Sequence, residues 1–296
     1  MKKGVQQIFS QIVPTYELIN HLLTWGLDIH WRRRAARLAG SRQGSCWLDI
    51  CTGTGEMAFN IAKVWAKNIS HKDAKSNKLG KNSPSRISSG LSSLRLTTDE
   101  RRKKNNSKGH LQSFRSIPAL VVGLDFCWEM LHQARRSKTS RMALPLVFIQ
   151  ADVRHLPFAA GALAGVSISF ATRNLGLTPE TLLPFFREIY RVLRPGGLFI
   201  NLETSQPRPA WLRQLFHTYV RFAVNSLGRK ISGSKVGYAY LASTIPRFLS
   251  PEELSEVLQL AGFSRVKVIK LWLGVAAIHL AFKDYSVART FELFSQ

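Results

Sequence analysis

Three short apolar runs that each carry an aspartate at their end constrain this chain more than any other feature. The first, Trp47-Leu48-Asp49-Ile50, leads into Cys51-Thr52-Gly53-Thr54-Gly55-Glu56 and then into apolar residues at helical spacing (Met57, Phe59, Ile61, Ala62, Val64). It reads as strand, tight glycine turn, helix. The second, Ala119-Leu120-Val121-Val122-Gly123-Leu124-Asp125, precedes helix-like sequence from Trp128 (Met130, Leu131, Ala134). The third, Phe148-Ile149-Gln150-Ala151-Asp152, runs into Val153-Arg154-His155-Leu156-Pro157-Phe158. Strands alternating with helices predict an open parallel α/β sheet. In such a sheet ligands bind at the carboxyl ends of the strands, beside turns of this kind.

The residue types at those ends narrow the ligand. Glycine lets the backbone adopt positive φ and lets a ligand approach closely. A carboxylate accepts two hydrogen bonds side by side, so Asp125 suits the two hydroxyls of a ribose. An acid or amide at the third strand end suits an adenine amino group. Dinucleotide enzymes share the ribose device, but their fingerprint is Gly-x-Gly-x-x-Gly with a phosphate at the helix N-terminus. Position 58, where the third glycine would stand, is Ala, which alone does not exclude a dinucleotide. Asp49 and the Gly-Thr-Gly-Glu turn fit better a ligand with no phosphate and with positive groups, as in S-adenosylmethionine.

Downstream, Ala164-Gly165-Val166-Ser167-Ile168-Ser169-Phe170 reads as a fourth strand, followed by Ala171-Thr172-Arg173-Asn174. Residues 185–193 read as a helix closed by Arg194-Pro195-Gly196-Gly197, because Pro and Gly together stop a helix and turn the chain. Residues 198–202, 266–271 and 275–282 supply later strands.

With these segments in place the chain resembles class I S-adenosylmethionine-dependent methyltransferases. More narrowly, it is similar to the quinone C-methyltransferases that act on demethylmenaquinol and on the corresponding ubiquinone precursor. Four stretches carry the narrower resemblance: Phe9, Tyr16 and the run from Leu27 to Arg32; Ser169-Phe170-Ala171-Thr172-Arg173-Asn174; Tyr238-Ala239-Tyr240-Leu241-Ala242-Ser243-Thr244-Ile245; and Gly274-Val275-Ala276-Ala277-Ile278-His279. The chain departs from the family pattern at Glu56 (Asp in the family), Ala171 (Gly) and Gly237 and Thr244 (Ser). These departures bear on the acceptor more than on the reaction type.

The resemblance implies one class I methyltransferase domain over residues 1–296. Its seven-stranded, mostly parallel sheet would carry helices on both faces and extra cap helices on the substrate side. It implies that the methyl donor is held by Asp49, Gly53, Thr54, Gly55, Asp125, Asp152, Val153 and Ser169, that Tyr238 and Tyr240 cover the acceptor, and that Arg173 serves the chemistry. Arg173 stays protonated and is not itself a base; it would stabilise a phenolate or orient a water. The competing reading is an ion pair with a nearby acid such as Glu203. The acceptor implied is an isoprenoid quinol, with no metal. Other acceptors remain: a different small molecule or lipid, an RNA, or none, in a non-catalytic cofactor-binding subunit. RNA is disfavoured because Phe170-Ala171-Thr172-Arg173 stands where nucleic-acid methyltransferases carry Asn/Asp-Pro-Pro-Tyr.

Charge and composition set the remaining expectations. The formal net charge is +24. Residues 67–116 hold thirteen Lys/Arg against three Asp/Glu and little periodic apolar sequence. Such a segment buries too little to offset its ordering entropy, so it reads as a disordered basic insert on the rim of the fold. Charge alone does not make it a nucleic-acid site. The three cysteines lack metal-site or redox spacing and read as reduced thiols. His279, in an apolar run, reads as a hydrogen-bonded core histidine ahead of a catalytic one. No signal-peptide core follows Met1, and apolar stretches such as 271–282 fall short of the ~20 residues that span a bilayer, which points to the cytoplasm. In residues 211–227, Arg213, His217 and Arg221 recur every fourth residue among apolar neighbours. This is the pattern of a cap helix, or of one lying on an anionic membrane surface. A homo-oligomer is compatible with all of this.

Overall fold

The computed structural model describes residues 17–18, 20–40, 46–79, 119–137, 146–224, 239 and 242–285. Among them seven strands form one sheet: β1 (Cys46–Ile50), β2 (Leu120–Asp125), β3 (Leu146–Gln150), β4 (Leu163–Ser169), β5 (Leu193–Thr204), β6 (Arg265–Leu271) and β7 (Ala276–Phe282). Their order is β3-β2-β1-β4-β5-β7-β6. The first five are parallel, and β7 runs antiparallel to both β5 and β6. Leu48 lies between Val122 and Val166 in register. β1, β2 and β4 are buried along nearly their whole length, as a parallel sheet covered on both faces requires. From β1 the chain moves outward to β2 and β3, then returns across the sheet to β4. The two halves therefore part between β1 and β4, and a crevice opens at their carboxyl ends.

Helices cover the two faces. On one, α1 (Leu27–Ala39) and α2 (Glu56–Leu79) pack with Trp31, Ala35 and Ala36 against Ile61, Ala62 and Trp65. Trp47 of β1 meets Trp65 edge-on, with ring centres 6.1 Å apart. On the other face lie α5 (Pro179–Val192) and α7 (Pro251–Leu260), whose Leu182, Phe186, Leu254 and Val257 close over Phe199 and Phe263. Alternation along β5 sends Leu198, Ile200 and Leu202 to the first core and Phe199 to the second. The start of α7 is written in the sequence. Ser250 accepts from the Glu253 N–H, the Glu253 carboxylate accepts from the Ser250 N–H at 2.8 Å, and Pro251 takes the first helical position. Three further helices are α3 (Trp128–Arg136), the single turn α4 (Thr172–Leu175) and α6 (Ala210–Tyr219).

Two boundaries differ from expectation. α2 continues to Leu79, thirteen residues into the stretch expected to be disordered. Its Lys and Ala residues are good helix formers, and the first breaker is Gly80. Residues 80–118, the rest of the basic insert, lie outside the described residues. α5 starts at Pro179, earlier than its apolar spacing suggested, and β5 begins directly at Leu193. Arg194-Pro195-Gly196-Gly197 is therefore no separate turn. It is absorbed into an irregular strand start, with Leu193 paired to Leu163 ahead of a register shift, and the left-handed Gly196 donates to the Lys283 carbonyl.

The turn after β1 sets the crevice floor. Gly53 (φ 56°) and Gly55 (φ 87°) are both left-handed, and a Cβ on Gly55 would stand 3.0 Å from Phe148 and Phe59. Gly55→Ala should therefore lower stability by about 1–3 kcal/mol, and Gly53→Ala, with open space around it, by less. Urea unfolding measures both. A Gly55→Ala protein as stable as wild type would show that the turn is free to relax.

Candidate active site

β1 delivers Asp49 to the crevice fully buried. Its carboxylate accepts from the Thr52 hydroxyl at 2.6 Å and the Ser167 hydroxyl at 2.7 Å. Ser167 lies directly across from Asp49 in the β1–β4 register and also accepts from the Trp47 indole N–H at 3.1 Å. No side-chain cation contacts Asp49 among the described residues. Burial pushes its pKa up to about 6, against the pull of those two hydroxyls, of the Arg32 guanidinium and of the Ala58 backbone. Thr52 and Ser167 were not among the expected site residues. The signal for Ser167 was its place two residues before Ser169, on the same side of β4.

Asp125 ends β2 with both oxygens aimed into the turn. One accepts the Gly53 N–H at 2.8 Å, the other the Cys127 N–H at 2.9 Å. Each oxygen keeps a lone pair, so two adjacent hydroxyls can still donate to them. Burial raises this carboxyl too, while the backbone N–H groups oppose the rise. A small cleft beside it is lined by Cys51, Asp125, Phe126, Ala151, Asp152 and Val153, together with Leu124. The lining holds two carboxylates and no basic side chain. Burial pushes the Cys51 thiol well above its usual range, and Asp125, Asp49 and Asp152 push it further. Asp125 and Asp152 thus line the cleft itself, and Asp49 is near enough to act on the same thiol. Asp152 reaches the cleft with its carboxylate already gripped by the Arg154 guanidinium at 2.6–3.2 Å, a contact that lowers its pKa to about 2. An adenine amino group would share that carboxylate with Arg154. Val153 is buried beside it, Thr54 is buried in the turn, and Ser169 ends β4 half-buried, facing Leu202.

This acidic, glycine-floored cleft fits a positively charged nucleoside. Asp125 can hold the ribose, the left-handed glycines admit close approach, and Asp49 has no ion-pair partner among the described residues. It does not fit a pyrophosphate, which the buried Asp125 and its neighbouring carboxylate would repel.

On the other side of the crevice the charge is cationic and paired. Phe170, just past β4, is left-handed (φ 55°), and α4 follows it. Arg173 in α4 is buried, and its Nη1 donates to Glu203 at 2.6 Å and to the Phe170 carbonyl at 3.1 Å. The ion pair set against the catalytic reading is therefore present. Its Nε remains without a partner among the described residues, as do Asn174 Oδ1, Asn201 Nδ2, Ser205 Oγ and His279 Nδ1. All five lie on α4 or on the adjoining β5–β7 pair and its extension, where Thr172 also bonds Asn201. His279 is buried, its Nε2 donates to the Pro251 carbonyl at 3.0 Å, and burial lowers its pKa to about 4. It is a neutral core histidine.

Arg32 of α1 joins the two sides. It is ion-paired to Asp28 in its own helix and to Glu56, the first residue of α2, at 2.9 Å, and its guanidinium lies 4.9 Å from the Phe170 ring centre. His21 bonds Asp28 at 2.8 Å and approaches Glu56 at 3.3 Å. His21, Asp28 and Glu56 are close enough together to ligate a metal, but the Arg32 guanidinium already supplies the positive charge to both acids. Single-residue motifs did not reveal this hub, because its members are scattered over 36 positions and meet only when α1 packs on α2. Phe9, Tyr16, Gly237, Tyr238 and Tyr240 lie outside the described residues.

Comparison with known proteins fits this geometry. Residues 1–283 match the ubiE/COQ5 methyltransferase family. A demethylmenaquinone methyltransferase of Thermus thermophilus is 33% identical over 92% of this chain and 98% of its own. One from Staphylococcus aureus is 28% identical over 96% of this chain and 94% of its own. Among solved structures, an S-adenosylmethionine-dependent methyltransferase from Thermotoga maritima superposes with a TM-score of 0.51 at 15% identity, covering 94% of this chain and 99% of that one. That last likeness speaks for the fold alone.

Asp125→Ala should weaken S-adenosylmethionine binding in calorimetry by about 1.5–3 kcal/mol, the scale of hydrogen bonds to a charged group. Unchanged affinity in a folded variant would remove Asp125 from the site.

Proposed function

Because this chain belongs to the ubiE/COQ5 methyltransferase family, we propose that it methylates a ring carbon of a reduced isoprenoid quinone. Demethylmenaquinol is the first candidate, by the names of its relatives, and the corresponding ubiquinone precursor the second. The chain is an S-adenosylmethionine-dependent methyltransferase. The observation that carries the finer reading is the split of the crevice into a half lined by the carboxylates Asp49, Asp125 and Asp152 and a half that holds the buried Arg173–Glu203 pair.

When bound, the donor supplies a methyl group on a positively charged sulfur. Asp49, Gly53, Thr54, Gly55 and Asp125 would hold it, with Asp152, Val153 and Ser169 at the edges. In the acceptor, an ionised ring hydroxyl would push electron density onto the adjacent carbon, which would take the methyl group and then lose its own proton to solvent, restoring the aromatic ring. Arg173 would stabilise that oxyanion directly or through a water, using the buried Nε–H that the Glu203 pair leaves free. Glu203 fixes the guanidinium plane. Tyr238 and Tyr240 would close over the acceptor. Holding two reactants aligned can supply roughly 7–11 kcal/mol of the barrier. The domain would act in the cytoplasm, in peripheral contact with the inner membrane face where a tailed quinol resides, with the basic insert as a rim loop. No helix among the described residues is long and apolar enough to cross a membrane.

Purified protein given labelled donor and a short-tailed demethylmenaquinol should label the ring only when the quinone is reduced. Equal labelling of the oxidised form, or labelling of RNA in preference, would contradict the proposal. Arg173→Lys keeps the charge and loses the planar fork. It should lower kcat and kcat/KM together while donor affinity stays near wild type. If Arg173 is structural only, Arg173→Lys should melt earlier and bind donor more weakly, with kcat per folded, donor-bound enzyme unchanged.

A further inference from the structure

We propose that α6 and the two turns at its ends form a rim that docks on the surface of an anionic lipid bilayer. The purpose of the rim rests on the quinol reading above; its test does not.

Among the described residues, five other than glycine have left-handed backbones: Trp25 (54°), Cys51 (50°), Phe170 (55°), Trp272 (40°) and Leu273 (56°). Cys51 and Phe170 flank the crevice. The other three sit on turns and expose large apolar side chains: Trp25 is 79% exposed, Trp272 59% and Leu273 73%. Two consecutive left-handed residues in a hairpin are the usual place of Asn-Gly. Trp-Leu at that position combines backbone strain with exposed apolar surface, and water compensates neither. A bilayer interface compensates the second, because indole rings favour the headgroup region and leucine the acyl boundary.

The tips are joined through α6. Leu271 and Thr204 both face Ala276, so the Trp272–Gly274 turn stands at the carboxyl edge of the sheet, the edge that holds the crevice. Ser205 donates to the Val275 carbonyl at 2.8 Å, and α6 starts at Ala210. At its far end the Tyr219 hydroxyl donates to the Leu23 carbonyl at 2.8 Å, beside Trp25. Leu212, Phe216 and Tyr219 turn partly inward, whereas Trp211 (67%) and Leu215 (60%) form an outward stripe that Phe222 extends. Arg213 and Arg221 are exposed alongside it, on a chain of net charge +24. His217, expected in that basic stripe, instead turns partly inward onto Gln206. Basic groups bordering an apolar stripe complement anionic headgroups over acyl chains. Aliphatic Leu215 and Leu273 add nothing to a base-stacking surface, and like charges along the rim oppose pairing with a second copy. Docked this way, the crevice and Arg173 face the lipid, and a tailed acceptor enters with its tail still in the bilayer.

The test is co-sedimentation of the full chain with phosphatidylcholine vesicles, with and without added phosphatidylglycerol, and without donor or acceptor. Wild type should bind the anionic vesicles. Trp272→Asn/Leu273→Gly, which suits the left-handed turn, should melt at a higher temperature yet bind them at least about tenfold more weakly, the scale of losing two buried apolar side chains. Trp211→Ser/Leu215→Ser should show the same loss of binding with donor affinity intact. Failure of wild type to bind, or variants that bind as tightly as wild type, would overturn the proposal, the latter placing any membrane affinity in basic charge elsewhere. Wild type that dimerises through this face and turns monomeric in the variants would also overturn it, as would variants that lose RNA binding but not vesicle binding. Because no acceptor is present, docking can fail while quinol methylation stands, and the reverse.

Discussion

A carboxylate buried without an ion-pair partner among the described residues is the constraint around which this molecule is arranged. Asp49 lies in the middle of the sheet and is held by two hydroxyls, yet burial still lifts its pKa to about 6. Its folded value lies above the unfolded 3.8, so the folded state binds more protons than the unfolded one between about pH 4 and pH 6. This group's contribution to stability therefore falls as pH rises through that window, by about 3 kcal/mol in all. The Arg32 guanidinium pulls the Asp49 pKa down without forming a pair with it. A fold that keeps such a group gives up stability when empty, and a ligand with positive charge restores it.

The opposite bank of the crevice uses the opposite solution. Arg173 and Arg32 are buried too, but each faces a carboxylate, Glu203 in one case and Asp28 with Glu56 in the other. Removing one partner from such a pair strands the other, which costs about 3–5 kcal/mol. The pairs therefore fix geometry: Arg32 locks the N-terminal helix onto the glycine turn, and Glu203 fixes the Arg173 guanidinium. An unpaired acid and a paired, immobile cation on either side of the sheet's switch point suit a reaction in which a cationic donor meets an anion forming on the acceptor.

Much of this was legible from residue order. The Asp-ended strands and the Gly-x-Gly turn are local signals, and each lies where the sequence places it. Less local features were not. Pro195 and the two glycines after it do close the helix and kink the chain, but β5 already begins at Leu193, because its start depends on pairing with Leu163 across the sheet. The length of α2 was masked by basic polar residues whose composition suits a helix as well as a disordered loop. Thr52 and Ser167 act on Asp49 only through register, and the Arg32 hub exists only once two helices pack. Arg173 was found by its motif, but its pairing with Glu203 is a matter of which residues face one another across α4 and β5.

The claim that Asp49 waits for a cation can be measured as proton linkage. Calorimetry of S-adenosylmethionine binding near pH 6, in buffers of different ionisation enthalpy, reports protons exchanged on binding. A cationic ligand beside Asp49 lowers its pKa, so binding should release a substantial fraction of a proton at pH 6, release almost none at pH 8, and tighten as pH rises between the two. Asp49→Asn should abolish the release. Binding that exchanges no proton at pH 6, or an Asp49→Asn protein that still releases one, would contradict the account.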